Sequence, residues 1–289
     1  MASPSPGASF ESLGTASPAG PVVISVPHGG RDYPSALVEA LRVPLGAIMG
    51  LEDRLIDQVA QAARTDEPMI VQTRPRAWID LNRDERDRDP LIDAGARVSG
   101  RGSSKVRSGL GLVPRRIGGH GDIWTRRFTD AEIVARITTD HRPYHDALSS
   151  CLAAVRARFG MAVLLDLHSM PPLGSAESHP RIVIGDRHGM TAGIGFVRRC
   201  EATIRAAGIA VTRNAPYAGG HVVERHGDTR RGIHAIQLEL DRSLYLNAAL
   251  EAPGPGFDAT VTLVRQIIAA LSAEALAQPQ PLSLPLAAE

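Results

Sequence analysis

The sequence predicts an α/β fold: a mixed, mostly parallel central sheet with helices on both faces. Three observations carry this expectation. Short β-branched and aliphatic runs bounded by turn residues recur along the chain, as strands do. Longer segments with a 3.6-residue apolar period lie between them, and that alternation implies a sheet covered by helices. The 289 residues suit one large α/β domain.

Taken in order, residues 1–20 (MASPSPGASFESLGTASPAG) have neither a basic start nor a continuous apolar core. They read as a flexible leader, not a signal peptide. The single domain is expected over 21–276. Its strands are expected at 21–27 (PVVISVP), 69–72 (MIVQ), 77–81 (AWIDL), 163–167 (VLLDL), 182–184 (IVI) and 235–240 (AIQLEL). Helices are expected over 51–63, 130–159, 192–207 and 257–277. Thr129 is placed to cap the second of these, ahead of Asp130 and Glu132. Residues 94–122 are dense in Gly, Ser and Arg with no apolar period. They read as a long loop, either a basic lid over an anionic substrate or a solvated excursion. The Pro-rich segment 277–289 cannot continue a helix and reads as a loose tail or docking strap.

Lys and Arg total 32 against 31 Asp and Glu, a net charge of +1. No global attraction draws this chain to nucleic acid or anionic lipid, so any cation needed for binding acts locally. The basic 94–122 segment lacks the aromatic platform of a nucleic-acid binder. Cys151 and Cys200 have no metal spacing, form no disulfide framework and read as buried apolar residues. No run approaches the ~20 apolar residues of a membrane span. A cytoplasmic protein without membrane or nucleic-acid partners is expected. The oligomeric state is not legible.

In an open α/β sheet, ligands sit beyond the carboxyl ends of the strands. The first strand ends in Pro27-His28-Gly29-Gly30, the strand at 163 in Asp166-Leu167-His168-Ser169, and the strand at 235 carries Glu239. Two histidines and a carboxylate converging from separate strands suit one catalytic divalent metal, with zinc the first choice. Such a site takes three protein ligands and keeps a position for water. The third ligand is Asp53 or Glu52, which open the helix after His28. Asp32 is a weaker alternative on the same loop. Asp166 shares a strand face with His168 and is placed to orient its imidazole. Glu239, in the apolar run Ile236 to Leu240, is costly unless it has a role, which makes it the general-base candidate. The bland alternative is an ion pair with Arg242. Asn82 and Arg83 make a carboxylate clamp, because an Arg fork matches a carboxylate in two parallel hydrogen bonds. The run Asp84 to Asp89 reads as a solvated charge run. Arg142, Tyr144 and His145 are placed to reach the cleft, as are residues 216–221, whose Gly219 and Gly220 allow close backbone approach.

Several separated motifs together resemble the N-formylglutamate amidohydrolase (deformylase) family: VPHGG at 26–30, DRL at 53–55, IDLNR at 79–83, YHDAL at 144–148, DLHSM at 166–170, PYAGGHVVERHG at 216–227 and QLELDRSLY at 237–245. They span most of 21–246 in the family order. Family members often carry Ser where Gly29 stands and Tyr where His221 stands. The resemblance implies a zinc-exopeptidase-like α/β fold, similar to that of the zinc carboxypeptidases. It implies His28, His168 and an acidic residue at 52–53 as metal ligands, Asn82 and Arg83 as the clamp and Glu239 as the base. The expected reaction is hydrolysis of the formyl amide of a small anionic N-acyl amino acid, N-formylglutamate, by metal-activated water. Arg76 is expected at the oxyanion, and Arg142 or Arg242 at a second substrate carboxylate. A related metallo-deacylase and a metal-free dicarboxylate-binding protein are the alternatives.

Overall fold

The computed structural model describes residues 9–14, 18–97, 103–175 and 179–278. Its strands are β1 (Phe10–Leu13), β2 (Val22–Val26), β3 (Met69–Gln72), the two-residue β4 (Arg116–Ile117) and β5 (Gly121–Asp122), β6 (Ala162–Met170), β7 (Ile182–Gly185), β8 (Val211–Arg213) and β9 (Ile233–Asp241). Its helices are α1 (Ser35–Glu39), α2 (Leu45–Ile48), α3 (Ile56–Ala63), α4 (Ser104–Arg107), α5 (Asp130–Arg136), α6 (Arg142–Phe159), α7 (Ile194–Ala206), α8 (His221–His226) and α9 (Phe257–Ala277).

Seven strands form one sheet in the order β1-β3-β2-β6-β9-β7-β8. The centre, β3-β2-β6-β9, is parallel. β1 is antiparallel to β3, and the parallel pair β7-β8 is antiparallel to β9. The sheet is thus mixed and mostly parallel, as expected.

Side-chain alternation divides two apolar cores between the faces. Ile24, Leu165 and Leu238 point to the face covered by α3, α7 and α9, while Val23, Leu164 and Ala235 point to the face covered by α6 and α8. Asp166 and His168 share the parity of Leu164, and Gln237 and Glu239 that of Ala235, so the polar residues gather on the α6/α8 face. α9 is long and apolar enough to cross a membrane by length and composition. Its Val264, Ile267, Ile268 and Leu271 are instead buried in the first core, each such burial contributing about 1.5–3 kcal/mol.

Thr129 does cap α5, in a full capping box with Glu132. Five expectations need correction. Residues 10–13, within the expected leader, form β1, because Phe10 has Tyr144 to pack against and β3 offers a free edge. Residues 77–81 are not a strand: β3 is already flanked by β1 and β2, so neither of its edges is open to them. Ala77, Ile79 and Leu81 still join the second core, and the Asp80 amide donates to the Leu112 carbonyl. Glu52 and Asp53 do not open the helix. They lie in the link before α3, which begins after left-handed Leu55. The described part of the 94–122 segment is packed, with Leu112 and Val113 buried and α4, β4 and β5 formed. The charge run after Arg83 is only partly solvated, since Asp89 is buried against Arg115 and Arg88 pairs with Asp93. Cys200 is buried and Cys151 half-buried, both free thiols. The tail beyond residue 278 lies outside the described residues.

Candidate metal centre

β2 and β6 run side by side, with Ser25 opposite Asp166, and β6 and β9 pair with His168 opposite Glu239. His28 follows two residues after the end of β2. Gly30 lets that turn lie against the chain just after β3, because a Cβ there would sit 2.1 Å from the Arg74 carbonyl oxygen. The Asp53 amide donates to the His28 carbonyl, which brings the link before α3 onto the strand end.

The result is a buried group of His28, Asp53 and His168 whose ligand atoms lie within 4.8 Å of one another and could hold a metal ion. Asp53 Oδ2 lies 2.9 Å from His168 Nδ1 and 3.5 Å from His28 Nδ1. The outer nitrogen of each ring meets its own carboxylate, His28 Nε2 with Asp80 Oδ1 at 2.7 Å and His168 Nε2 with Asp166 Oδ2 at 2.8 Å. Carboxylates behind imidazoles fix the tautomer and raise ligand basicity in metal sites. His28 Nδ1 is buried and has no hydrogen-bond partner, which is costly for a polar atom unless something occupies the space it faces. The residues therefore fit a cation.

The electrostatics agree. Burial pushes Asp53 up, but the hydrogen bond from His168 and the nearby rings of His168 and His28 outweigh it and hold the carboxyl well below its usual range. Burial likewise opposes the charged form of Asp80, and Arg76, Arg83 and His28 pull it down. His168 is raised well above its ordinary value: burial opposes this, but Asp166 and Asp53 prevail. A group that holds a proton this firmly is a negative pocket that welcomes positive charge. Glu239 behaves differently, because burial dominates and raises its carboxyl. Its Oε1 accepts from Gln237 Nε2 at 2.7 Å. Arg242 donates instead to the Glu52 and Gly50 carbonyls and to Ser169, and lies 3.6 Å from Asp53. The ion-pair alternative for Glu239 is not formed.

Asp53, not Glu52, reaches the histidines. Glu52 is buried but accepts from Tyr33 and Arg54. Asp32 is exposed and paired with Arg74, because it follows the turn by enough residues to leave the strand ends. Half-buried Arg76 donates to Asp80 at 2.8 Å, and the negative charges of Asp80 and Asp53 prevail over burial to keep it charged. Asn82 is buried; its Oδ1 accepts from the Val222 amide and its Nδ2 donates to Gln237 Oε1. It holds the Gly219–Gly220 loop more than it grips: a Cβ on Gly220 would fall 2.3 Å from Asn82. Gly220 also donates to Gln237, and left-handed Gly219 turns the chain there. Arg83 donates to the Leu110 and Asn82 carbonyls.

Four expected cleft residues, Arg142, Tyr144, His145 and His221, lie elsewhere, the last two because they pack against His141 and His226 instead of the strand ends. Arg142 is exposed and makes two hydrogen bonds to Glu85, since it sits on the outer side of the α6 start. Tyr144 is fully buried under the sheet, bonded to Ser25, which in turn donates to Asp166.

Asp80 and Gln237 were missed by sequence reasoning. A signal for both existed: each is a polar residue inside an apolar run, the argument that singled out Glu239. Lys105 on α4 was also missed. Loss of hydration and the charges of Arg83 and Arg76 lower its ammonium, so it lies within electrostatic reach of those two arginines.

A family model for N-formylglutamate amidohydrolase matches residues 20–246. An N-formylglutamate deformylase of Pseudomonas putida is 30% identical over 232 residues, covering 78% of this chain and 82% of the relative. One from Pseudomonas aeruginosa is 25% identical over 273 residues, covering 88% and 93%. The crystal structure of an N-formylglutamate amidohydrolase from Ralstonia eutropha superposes with a TM-score of 0.82 at 31% identity, covering 93% of this chain and 97% of that one. A gene product of Agrobacterium tumefaciens shares the fold at 19% identity, with a TM-score of 0.67 and coverage of 92% and 95%.

Proposed function

Because the chain belongs to the N-formylglutamate amidohydrolase family, we propose that it hydrolyses the formyl amide of N-formyl-L-glutamate to formate and L-glutamate at the His28–Asp53–His168 group. The observation that carries this reading is the convergence of two buried imidazoles and a carboxylate, with His168 directly across the β6–β9 ladder from Glu239. His28, Asp53 and His168 would hold a divalent metal, which we take to be zinc, and it would supply Lewis acidity to make a water more acidic.

The rest falls to side chains. Glu239, raised by burial, accepts a proton from the attacking water as its oxygen adds to the formyl carbon. It returns that proton to the nitrogen as the C–N bond breaks, so that formate and the free amine leave. Arg76, held charged by Asp80, faces the developing oxyanion. Arg83 receives one substrate carboxylate, with Lys105 adding positive charge, and Arg242 lies nearest a second. Asn82 and Gln237 set the Gly219–Gly220 backbone against the substrate, and Asp166 and Asp80 orient the imidazoles.

Steady-state hydrolysis of N-formylglutamate, N-acetylglutamate, N-succinylglutamate and N-formylaspartate tests the reading. The largest kcat/KM is expected for N-formylglutamate, with loss of turnover on chelation and recovery with zinc. A preference for another acyl group would reassign the substrate, and chelator-insensitive hydrolysis would remove the metal.

A further inference from the structure

On the far side of residues 81–83 lies another histidine group that the proposed reaction does not use. His141 closes a π-helical turn (Ile137–His141), a local expansion frequent at functional sites. His145 is one turn further along α6, and His221 is the first residue of α8. Ring centroids are 4.5 Å apart for His141 and His145, 5.3 Å for His145 and His221, and 5.9 Å for His141 and His221. One nitrogen from each ring lies within 4.8 Å of the others.

We propose that His141, His145 and His221 form a second metal site, for a nitrogen-preferring divalent ion such as zinc or cobalt(II). Two nitrogens are ready for it. His141 Nε2 donates to the Arg83 carbonyl, which fixes the tautomer and leaves the lone pair on Nδ1. That Nδ1 is buried without a partner, and so is His221 Nε2. His145 is held by Leu81 O and His226 Nε2, and it gives up one of these bonds on coordination. Tetrahedral zinc–nitrogen bonds place ligand nitrogens about 3.4 Å apart, so modest ring rotations close the set.

The protonation state suits the role. Burial, with the neighbouring histidines and Arg225, lowers His141, His145 and His221, the last to about 4. All three are neutral near pH 7, as metal ligands must be. Three imidazoles without carboxylate or thiolate select zinc, cobalt, nickel or copper over magnesium and calcium. A bound ion would staple the start of α6 to the start of α8, directly after the Gly219–Gly220 loop.

The test uses the full chain with the first group disabled, as His28→Ala/His168→Ala, stripped of metal and dialysed against Co2+ or Zn2+ alone. Elemental analysis should find one equivalent of either ion and none of Mg2+. The cobalt protein should show the intense visible band of four-coordinate Co2+. Adding His221→Gln should abolish both, with thermal melting confirming the fold. No metal on the folded double variant, or one equivalent retained after His221→Gln, overturns the proposal. If the double variant does not fold, wild type should bind two equivalents and His221→Gln one; equal stoichiometry in the two overturns it.

Discussion

The molecule buries two groups of histidines on the same face of its sheet and treats them in opposite ways. His28 and His168 stand among Asp53, Asp80, Asp166 and Glu239, and His168 is raised well above its ordinary value despite burial. His141 and His145 bond to backbone carbonyls, and His226 bonds to His145 and Ser149; burial lowers these three and His221, with His226 at about 3. Burial alone pushes every histidine toward neutrality. The difference between the groups is therefore a difference in carboxylates: one pocket is built for positive charge, the other for neutral rings.

The sharpest way to break this contrast is to remove the carboxylate that the chemistry needs. Glu239→Gln keeps the shape and the bond to Gln237 but cannot exchange a proton. We expect kcat to fall by about 10²- to 10⁴-fold with metal content unchanged, read by steady-state kinetics and elemental analysis. Wild-type turnover in this variant would remove Glu239 from the reaction.

A smaller effect is expected one shell out. Asp80→Asn removes the charge behind His28 while leaving an acceptor for its Nε2–H and for the Asn82 amide. Metal affinity should drop about 10- to 100-fold, measured by competition with a chelator. The same change should weaken the hold on Arg76, so kcat falls as well even at saturating metal. An unchanged affinity would mean that the carboxylate environment does not set the character of the first group.

The chain's own pattern made much of this legible. The strand runs at 21–27, 163–167 and 235–240 gave the parallel centre, and the period of two placed Asp166 with His168. What the sequence hid was long-range. Asp53 and Glu52 are adjacent carboxylates, and only the bond from the Asp53 amide to His28, with Tyr33 and Arg54 taking Glu52, decides which one turns inward. Residues 77–81 alternate like a strand, yet both edges of β3 are taken by segments distant in sequence. The neighbourhood of His141, His145, His221 and His226 depends on how α8 docks on α6, which no local spacing reveals.

The two groups should also respond to pH with opposite sign in metal-free protein. An unfolded histidine binds its proton near pH 6.5, whereas folded His221 and His226 stay neutral until about 4 and about 3. Between those limits the unfolded state binds more protons, so stability rises with pH and is complete above 6.5, by at most ~1.4 kcal/mol per pH unit for His226 and by less for the more exposed, solvent-screened His221. His168, raised when folded, contributes stability that is full below 6.5 and lost as pH climbs through its folded value. Urea unfolding at pH 5, 6 and 7 should therefore show stability falling on acidification, with a shallower fall in His226→Gln. An equal slope in that variant would mean the second group is not held neutral by burial.

The smallest effect is expected at Arg142, and it tests whether the two regions are separate. Its guanidinium donates through Nε at 2.8 Å and Nη2 at 3.2 Å to Glu85, in solvent, where ion pairs contribute little. It sits next to His141 in sequence, yet nothing directs it toward Asp53 or Glu239. Arg142→Ala should change kcat/KM for N-formylglutamate by less than about twofold, as expected for a solvent-exposed pair, and leave the melting temperature unchanged. A marked rise in KM with kcat intact would show that Arg142 leaves Glu85 to meet the substrate carboxylate. The start of α6 would then belong to the substrate site, and metal at the second histidine group would be coupled to substrate binding.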